Sequence, residues 1–224
     1  QWMGVSGLHA NSVAPVLVSR EQGRRKSSFC RALMPDVLAR YYTDNLKLTS
    51  QGQAERMLAE MGMLNMDEFD KYAESKMPLL KNLMQMSVLN IRKAYQQNFR
   101  QLPRIASFIG TSNRFDLLTD PTGSRRFLCI EVKHDIDCTG IEHDRIFAQL
   151  KAELIAGRRS WFTKSEEEEL QRHNEAFYRV SLAEEAVRSL FRAPLPAEKS
   201  IDLTAADIFD ELQKTHPALM RGSN

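Results

Sequence analysis

The chain has 224 residues, 42% of them hydrophobic and 27% charged, with a formal net charge of +2. That is enough chain for one α/β domain with an appendage, and too little net charge to mark a nucleic-acid binder unless the cations cluster. No apolar run reaches the roughly 20 residues of a membrane-spanning helix, QWMGVSGLHANS lacks a signal peptide's basic start and apolar core, and three cysteines suit a reducing compartment; a cytoplasmic protein with no membrane partner is expected.

Apolar runs alternate with amphipathic stretches, the pattern of a layered α/β fold. APVLVS (14–19) reads as a buried strand, followed by a turn and a helix through KSSFCRALM that ends near Pro35. RYYT predicts a short strand and QGQAERMLAEM a helix. GMLNMDEFD reads as a second buried strand whose end carries Asp67, Glu68 and Asp70, and MPLLKNLMQM has helical spacing. LNIRKAYQQNFRQLPRIASFIGTSN reads as extended segments about a polar QQN turn, closing on the strand IASFIG. The turn TDPTGS then leads to a strand, RRFLCIEV.

Beyond that strand the periodicity is helical. TKSEEEELQRHNEAFY opens on capping signals, Thr163 with Glu166 and Ser165 with Glu168, and Ser181 with Glu184 repeats the device. RAPLPAEKS reads as a linker and DLTAADIFDELQKTH as a last helix. A core over residues 1–160 and a helical C-terminal extension over 161–224 are expected, the whole reading as cut from a longer protein. Met57, Met61, Met63, Met66, Met77, Met84 and Met86 are expected to fill the core.

VLVSREQGRRKSSFC (16–30) has the layout of a phosphate-binding loop: an apolar strand, a turn, Lys-Ser and a helix. In such a loop backbone N–H groups and a lysine surround the phosphates, and the next hydroxyl ligates Mg²⁺. Gly23 supplies a flexible position, Lys26 the charge and Ser27 the hydroxyl. The strict pattern G-x-x-x-x-G-K-[ST] fails at both glycines, where Arg20 and Arg25 stand. Taken alone, a Lys-Ser pair opening a helix is more often a solvated helix start. Arg25 adds a Cβ and a cation where the backbone must approach phosphate, although Arg20, Arg24 and Arg25 can themselves pair with phosphate oxygens.

MLNMDEFD adds the second piece. An apolar strand ending in adjacent carboxylates suits a Walker B element, with Asp67 holding the metal and Glu68 polarising the attacking water. IASFIG running into TSN adds the third, placing the Asn113 amide beside the first two strand ends. Each piece has a plain alternative, an acidic turn or a turn asparagine, but the three together in this order reinforce one another.

With QG..KS, NMDEFD, RIASFIGTSN and DPTGSRRF in this order, the chain resembles the virulence-associated protein E family, mobile-element proteins related to superfamily-three helicases and phage and plasmid primase-helicases. The resemblance spans about residues 14–177. It implies an α/β P-loop NTPase of the AAA+ type: a three-layer sandwich with a parallel sheet, an ATP- and Mg²⁺-dependent helicase module, and assembly into a homo-oligomeric ring on DNA. It assigns Gly23, Arg24, Arg25, Lys26, Ser27 and Ser28 to nucleotide binding, and Ser27 and Asp67 to the metal. Glu68 and Asn113 become catalytic, and Arg125 or Arg126 becomes an arginine finger acting on a neighbouring subunit. The departure is Arg25, where the family usually has glycine.

NIRKAYQQNFRQLPR gathers Arg92, Lys93, Arg100 and Arg104 around Tyr95 and Phe99. The resemblance implies a DNA-contacting hairpin there, with cations on phosphates and aromatics on bases; the plain reading is a solvated hairpin with both aromatics packed beneath it. Cys129, His134, Cys138 and His143 are spaced like a small zinc knuckle, but Cys129 falls in an apolar strand pattern and the knuckle is not favoured. The leading expectation is an ATP-dependent helicase-like module of a mobile-element replication or mobilisation protein. The alternative is a degenerate loop that binds DNA or nucleotide without turnover and acts as a scaffold.

Overall fold

The computed structural model describes residues 12–48, 51–92, 98–119, 124–180, 182–195, 198–215 and 217. The chain divides into two compact units, 1–178 and 179–224. The first is built on five parallel strands: β1 (Ala14–Val18), β2 (Tyr42–Thr43), β3 (Met63–Met66), β6 (Ser107–Ser112) and β7 (Phe127–Glu131), in spatial order β2-β3-β6-β1-β7. Between them run α1 (Lys26–Ala32), α2 (Gln51–Glu60) and α3 (Met77–Gln85), with α4 (His143–Ile155) and α5 (Lys164–His173) after β7. β4 (Val88–Arg92) and β5 (Phe99–Pro103) form a separate antiparallel pair, in register Ile91 to Arg100 and Arg92 to Phe99.

Strand alternation sorts the core into two faces. Val16, Val18, Leu64, Met66 and Phe108 pack with Ala54 and Leu58 of α2 and Leu80, Leu83 and Met84 of α3. Leu17 and Ile109 point the other way, to Cys30, Phe29 and Leu33 on and beside α1. Helices thus cover both faces of a parallel sheet, as the alternation of apolar runs implied. Met66 and Met84 are fully buried, and Met57, Met61, Met77 and Met86 pack around the same core.

Two boundaries differ from the sequence reading. Arg125 and Arg126 lie in a short 3-10 turn, Ser124–Arg126, and the strand begins at Phe127. The reason is Asn174, fully buried, whose Nδ2 donates to the carbonyls of Ser124 (3.3 Å) and Phe127 (2.6 Å) while its Oδ1 accepts from the Cys129 N–H (3.3 Å). The same bonds tie the segment after α5 to β7, so the compact division falls after Tyr178 rather than at 160. In α4, for which the sequence reading set no bounds, Ile146, Leu150 and Leu154 recur at helical spacing, yet the helix buries no residue.

α5 starts with the expected capping box: the Glu166 N–H donates to Thr163 Oγ1 and Thr163 N–H donates to Glu166 Oε2, while Ser165 sits inside the helix. The second unit holds α6 (Leu182–Leu190) and α7 (Ala205–Thr215), burying Ala186 and Leu212. Ser181 lies outside the described residues. α7 has a capping box of its own, Thr204 with Asp207, which the acid's being aspartate rather than glutamate hid.

Cys30 and Cys129 are fully buried, and burial pushes both thiols up to about 12, whereas Cys138 is half-exposed. Native protein should therefore react with a thiol reagent at Cys138 alone, the other two following only on unfolding. As pH rises past the ordinary thiol value of 9.0, the unfolded chain loses these protons first and the folded chain keeps them. Stability should then fall by about 1.4 kcal/mol per pH unit for each thiol, and denaturant titrations near pH 8 and near pH 10 measure the drop.

Candidate functional site

Because β6 lies between β3 and β1, the loops leaving these three strands converge at their carboxyl ends. They enclose a cavity of about 320 Å³ lined by the 22–28 loop, Asp67, Glu68, Thr111 and Asn113. Residues 40 and 87 positions apart in sequence meet there. Ser27 Oγ donates to Asp67 Oδ1 at 2.7 Å, and Lys26 Nζ donates to Asn113 Oδ1 at 2.9 Å. Lys26 is only 7% exposed, with its ammonium 3.5 Å from the Ser19 carbonyl. Burial pushes its pKa down, and the carboxylates of Asp67 and Asp70 pull it partly back. Lys26 is thus a largely buried cation bonded to an amide and balanced by two nearby carboxylates.

Thr111, which lines the cavity, and Ser112 beside it hold the acidic residues at its edge, and the sequence reading assigns neither a role. Thr111 Oγ1 donates to the same Asp67 oxygen at 2.6 Å and accepts the Glu68 N–H at 3.2 Å, so one hydroxyl ties the Asp67 carboxylate to the Glu68 backbone. Ser112 Oγ donates to Asp70 Oδ1 at 2.7 Å. The signal was present in TSN, a strand end where three polar side chains follow an apolar run, but only Asn113 was singled out.

The backbone here is unusual. Arg25 (φ 58°, ψ 24°) and Glu68 (φ 51°, ψ 51°) are left-handed, and among the described residues no other non-glycine residue has positive φ. Both line the cavity. Gly23, at φ 85°, takes the third left-handed position at no steric cost. For a side chain, such a conformation costs on the order of 1–3 kcal/mol and is found chiefly at functional sites.

The remaining predicted residues are placed as follows. Ser28 lines the cavity rim and is exposed. Arg24 is held by Glu21 and by Asp135 (2.9 Å), and the Arg20 guanidinium lies 5.2 Å from the Phe115 ring centre. Glu68 Oε1 pairs with Lys71 Nζ at 2.7 Å. Arg125 is exposed and 3.3 Å from Glu167 of α5, Arg126 is half-buried, and neither lines the cavity.

Of the four hairpin cations, Arg100 is exposed on β5, Arg92 belongs to β4, and Lys93 and Tyr95 lie outside the described residues. Arg104 corrects the expectation of a DNA contact. It is 6% exposed, donates Nη1–H to the Met84 carbonyl at 2.6 Å, lies 5.7 Å from the Phe108 ring centre, and is pushed down to about 10 by burial. It follows β5, where the chain turns back into the sheet, so its side chain enters the core instead of the surface. Phe99 is 63% exposed rather than packed beneath the hairpin. The zinc knuckle does not assemble: Cys129 is buried, His143 Nε2 meets the Ala32 carbonyl, and no group of three or more potential metal ligands exists among the described residues.

Fold and site together define an α/β protein with a polar site at the carboxyl edge of a parallel sheet. The chain belongs to the virulence-associated protein E-like domain family, whose model matches residues 7–179. A second family model, a domain of unknown function, matches residues 180–224, so the family boundary falls beside the compact division. Similar solved structures include the A form apo structure of the NrS-1 C-terminal region, 17% identical over 75% of this chain and 35% of that one, with a TM-score of 0.42. Another apo structure of that region is 14% identical over 81% of this chain and 46% of that one, with a TM-score of 0.46. The chain spans less than half the length of these structures. No curated protein matches it. Among the described residues, no helix is long and apolar enough to cross a membrane.

Proposed function

We propose that this chain is a P-loop NTPase module of the AAA+, superfamily-three helicase type, binding ATP with Mg²⁺ and working on DNA within a mobile-element replication protein. The observation that carries the reading is the meeting of Lys26, Ser27, Asp67 and Asn113 in one cavity. Lys26 is placed to neutralise phosphate oxygens and Asn113 to orient a water beside them. Ser27 Oγ and Asp67 Oδ1 form an all-oxygen pair of the kind that suits Mg²⁺, which usually takes one or two protein ligands and completes its shell with phosphate and water. When bound, the ion would neutralise phosphate charge. Glu68 then acts as the base, on a backbone that Thr111 holds in place.

An ATPase assay with and without single-stranded DNA tests the proposal. DNA-stimulated, Mg²⁺-dependent turnover lost in Lys26→Ala supports it; no turnover and no nucleotide binding would overturn it. Two observations favour a second reading, a site that binds without turnover: the left-handed Arg25, and the ion pair that Lys71 makes with the proposed base. Binding without hydrolysis, unchanged by DNA, would select it. If Arg125 or Arg126 acts in trans, turnover should rise with protein concentration and fall when both are replaced by alanine.

The β4–β5 hairpin is the proposed DNA contact. Arg92→Ala with Arg100→Ala should weaken single-strand binding regardless of sequence and lower the salt slope by about 0.7 for each phosphate no longer neutralised. Arg104→Ala should leave that slope unchanged and instead destabilise the fold. A slope unmoved by the double variant would assign those charges to solvation.

A further inference from the structure

A second hollow lies against the first. It has a volume of about 350 Å³, sits beyond the ends of β1 and β7, and is lined by Ser19, Arg20, Glu21, Arg24, Phe115 and the 131–133 segment. Arg24 lines both hollows, so one guanidinium separates the phosphate-type cavity from its neighbour. The chemistry of the two differs. The first is walled by a buried ammonium, hydroxyls and carboxylates. The second has a flat element: the Phe115 ring stacks on Phe177 at 5.6 Å between centres and 10° between planes, and Arg20 holds its guanidinium 5.2 Å from the Phe115 ring centre.

We infer that this second hollow is the nucleobase subsite, with the base lying flat against the Arg20–Phe115 pair. The inference rests on the proposed reading of the first cavity as the phosphate site. A guanidinium plane and an aromatic ring are both surfaces on which a base stacks, whatever its identity. Phe177 is 5% exposed and backs the Phe115 ring, so the platform is pre-positioned from the core. Glu21, paired with Arg24, and Glu131, 3.7 Å from Lys133, line the hollow's wall with acceptors that the N–H groups of any base can meet. Arg24, held by Glu21 and Asp135, lines both hollows and stands as a fixed cation where they meet.

The test compares inorganic tripolyphosphate with ATP, GTP, CTP and UTP by calorimetry in Mg²⁺, on the parent protein and on Arg20→Ala. Arg20 is exposed, so its loss spares the core; Phe115→Leu serves as a second variant, with folding checked by thermal melting. The parent should bind ATP, GTP, CTP and UTP about tenfold or more tighter than tripolyphosphate. Arg20→Ala should cut ATP affinity by about tenfold and leave tripolyphosphate unchanged. If tripolyphosphate binds as tightly as ATP, or Arg20→Ala weakens both equally, the phosphate site stands and the base subsite is wrong. If neither tripolyphosphate nor any nucleotide binds the parent, both readings fall together.

Discussion

Glu68→Gln should lower ATP turnover by about 10²–10⁴-fold while leaving the affinity for Mg-ATP within a factor of about two. The amide keeps the side chain's size and its place beside Asp67 but cannot take a proton from water. Thr111 should hold the variant in position, because its hydroxyl accepts the Glu68 backbone N–H, which the substitution leaves intact. The left-handed backbone at position 68 also persists, since glutamine carries the same Cβ. Steady-state turnover and calorimetric binding, measured on the same preparation, separate the two effects. A proportional loss of binding would mean that Glu68 holds ligand or structure and is not the base.

The second large effect is expected at the loop before Lys26. Arg25 adopts φ 58° and ψ 24°, the conformation that a glycine before the lysine would take freely. The backbone therefore keeps the shape of the missing glycine at a strain of on the order of 1–3 kcal/mol. Arg25→Gly should tighten Mg-ATP binding by about tenfold, at about 1.4 kcal/mol per decade, if the arginine's side chain only obstructs the phosphates. Lys26→Ala should abolish measurable binding, because it removes the buried cation beside Asn113 from the wall of the cavity. Calorimetry on the parent and both variants decides the question. Weaker binding in Arg25→Gly would show that the guanidinium is itself a phosphate ligand and that the loop has exchanged a backbone approach for a charge.

Much of the proposed site is legible along the chain because its parts are local patterns. Each is a buried strand followed at once by polar residues, and burial marks both the strand and the point where it stops. Lys26, Ser27, Asp67 and Asn113 all stand out in this way, and the cavity brings them together. Thr111 is less legible. It opens the polar strand end TSN, but as the last but one residue of a buried strand, 3% exposed, it reads equally as a threonine that only fills space. Arg104 misleads likewise: four cations in one stretch look alike until the chain's turn after β5 sends one of them inward against Phe108.

The order and type of most elements, the parallel α/β class, the α5 cap and the family all follow from spacing and from residues close along the chain, so the amino-acid sequence suffices for them. Contacts between distant segments set the rest. The 3-10 turn at Ser124–Arg126 exists because Asn174, some 50 residues later, takes its carbonyls. The division after Tyr178 follows from the same contact. The bond of Thr111 to Asp67, the pairing of Arg24 with Asp135 and the approach of Arg20 to Phe115 depend on loops that meet only when β6 is laid between β3 and β1 and β7 closes beside them. Side-chain partners chosen across such distances are set by the packing of the sheet, and no local periodicity encodes them.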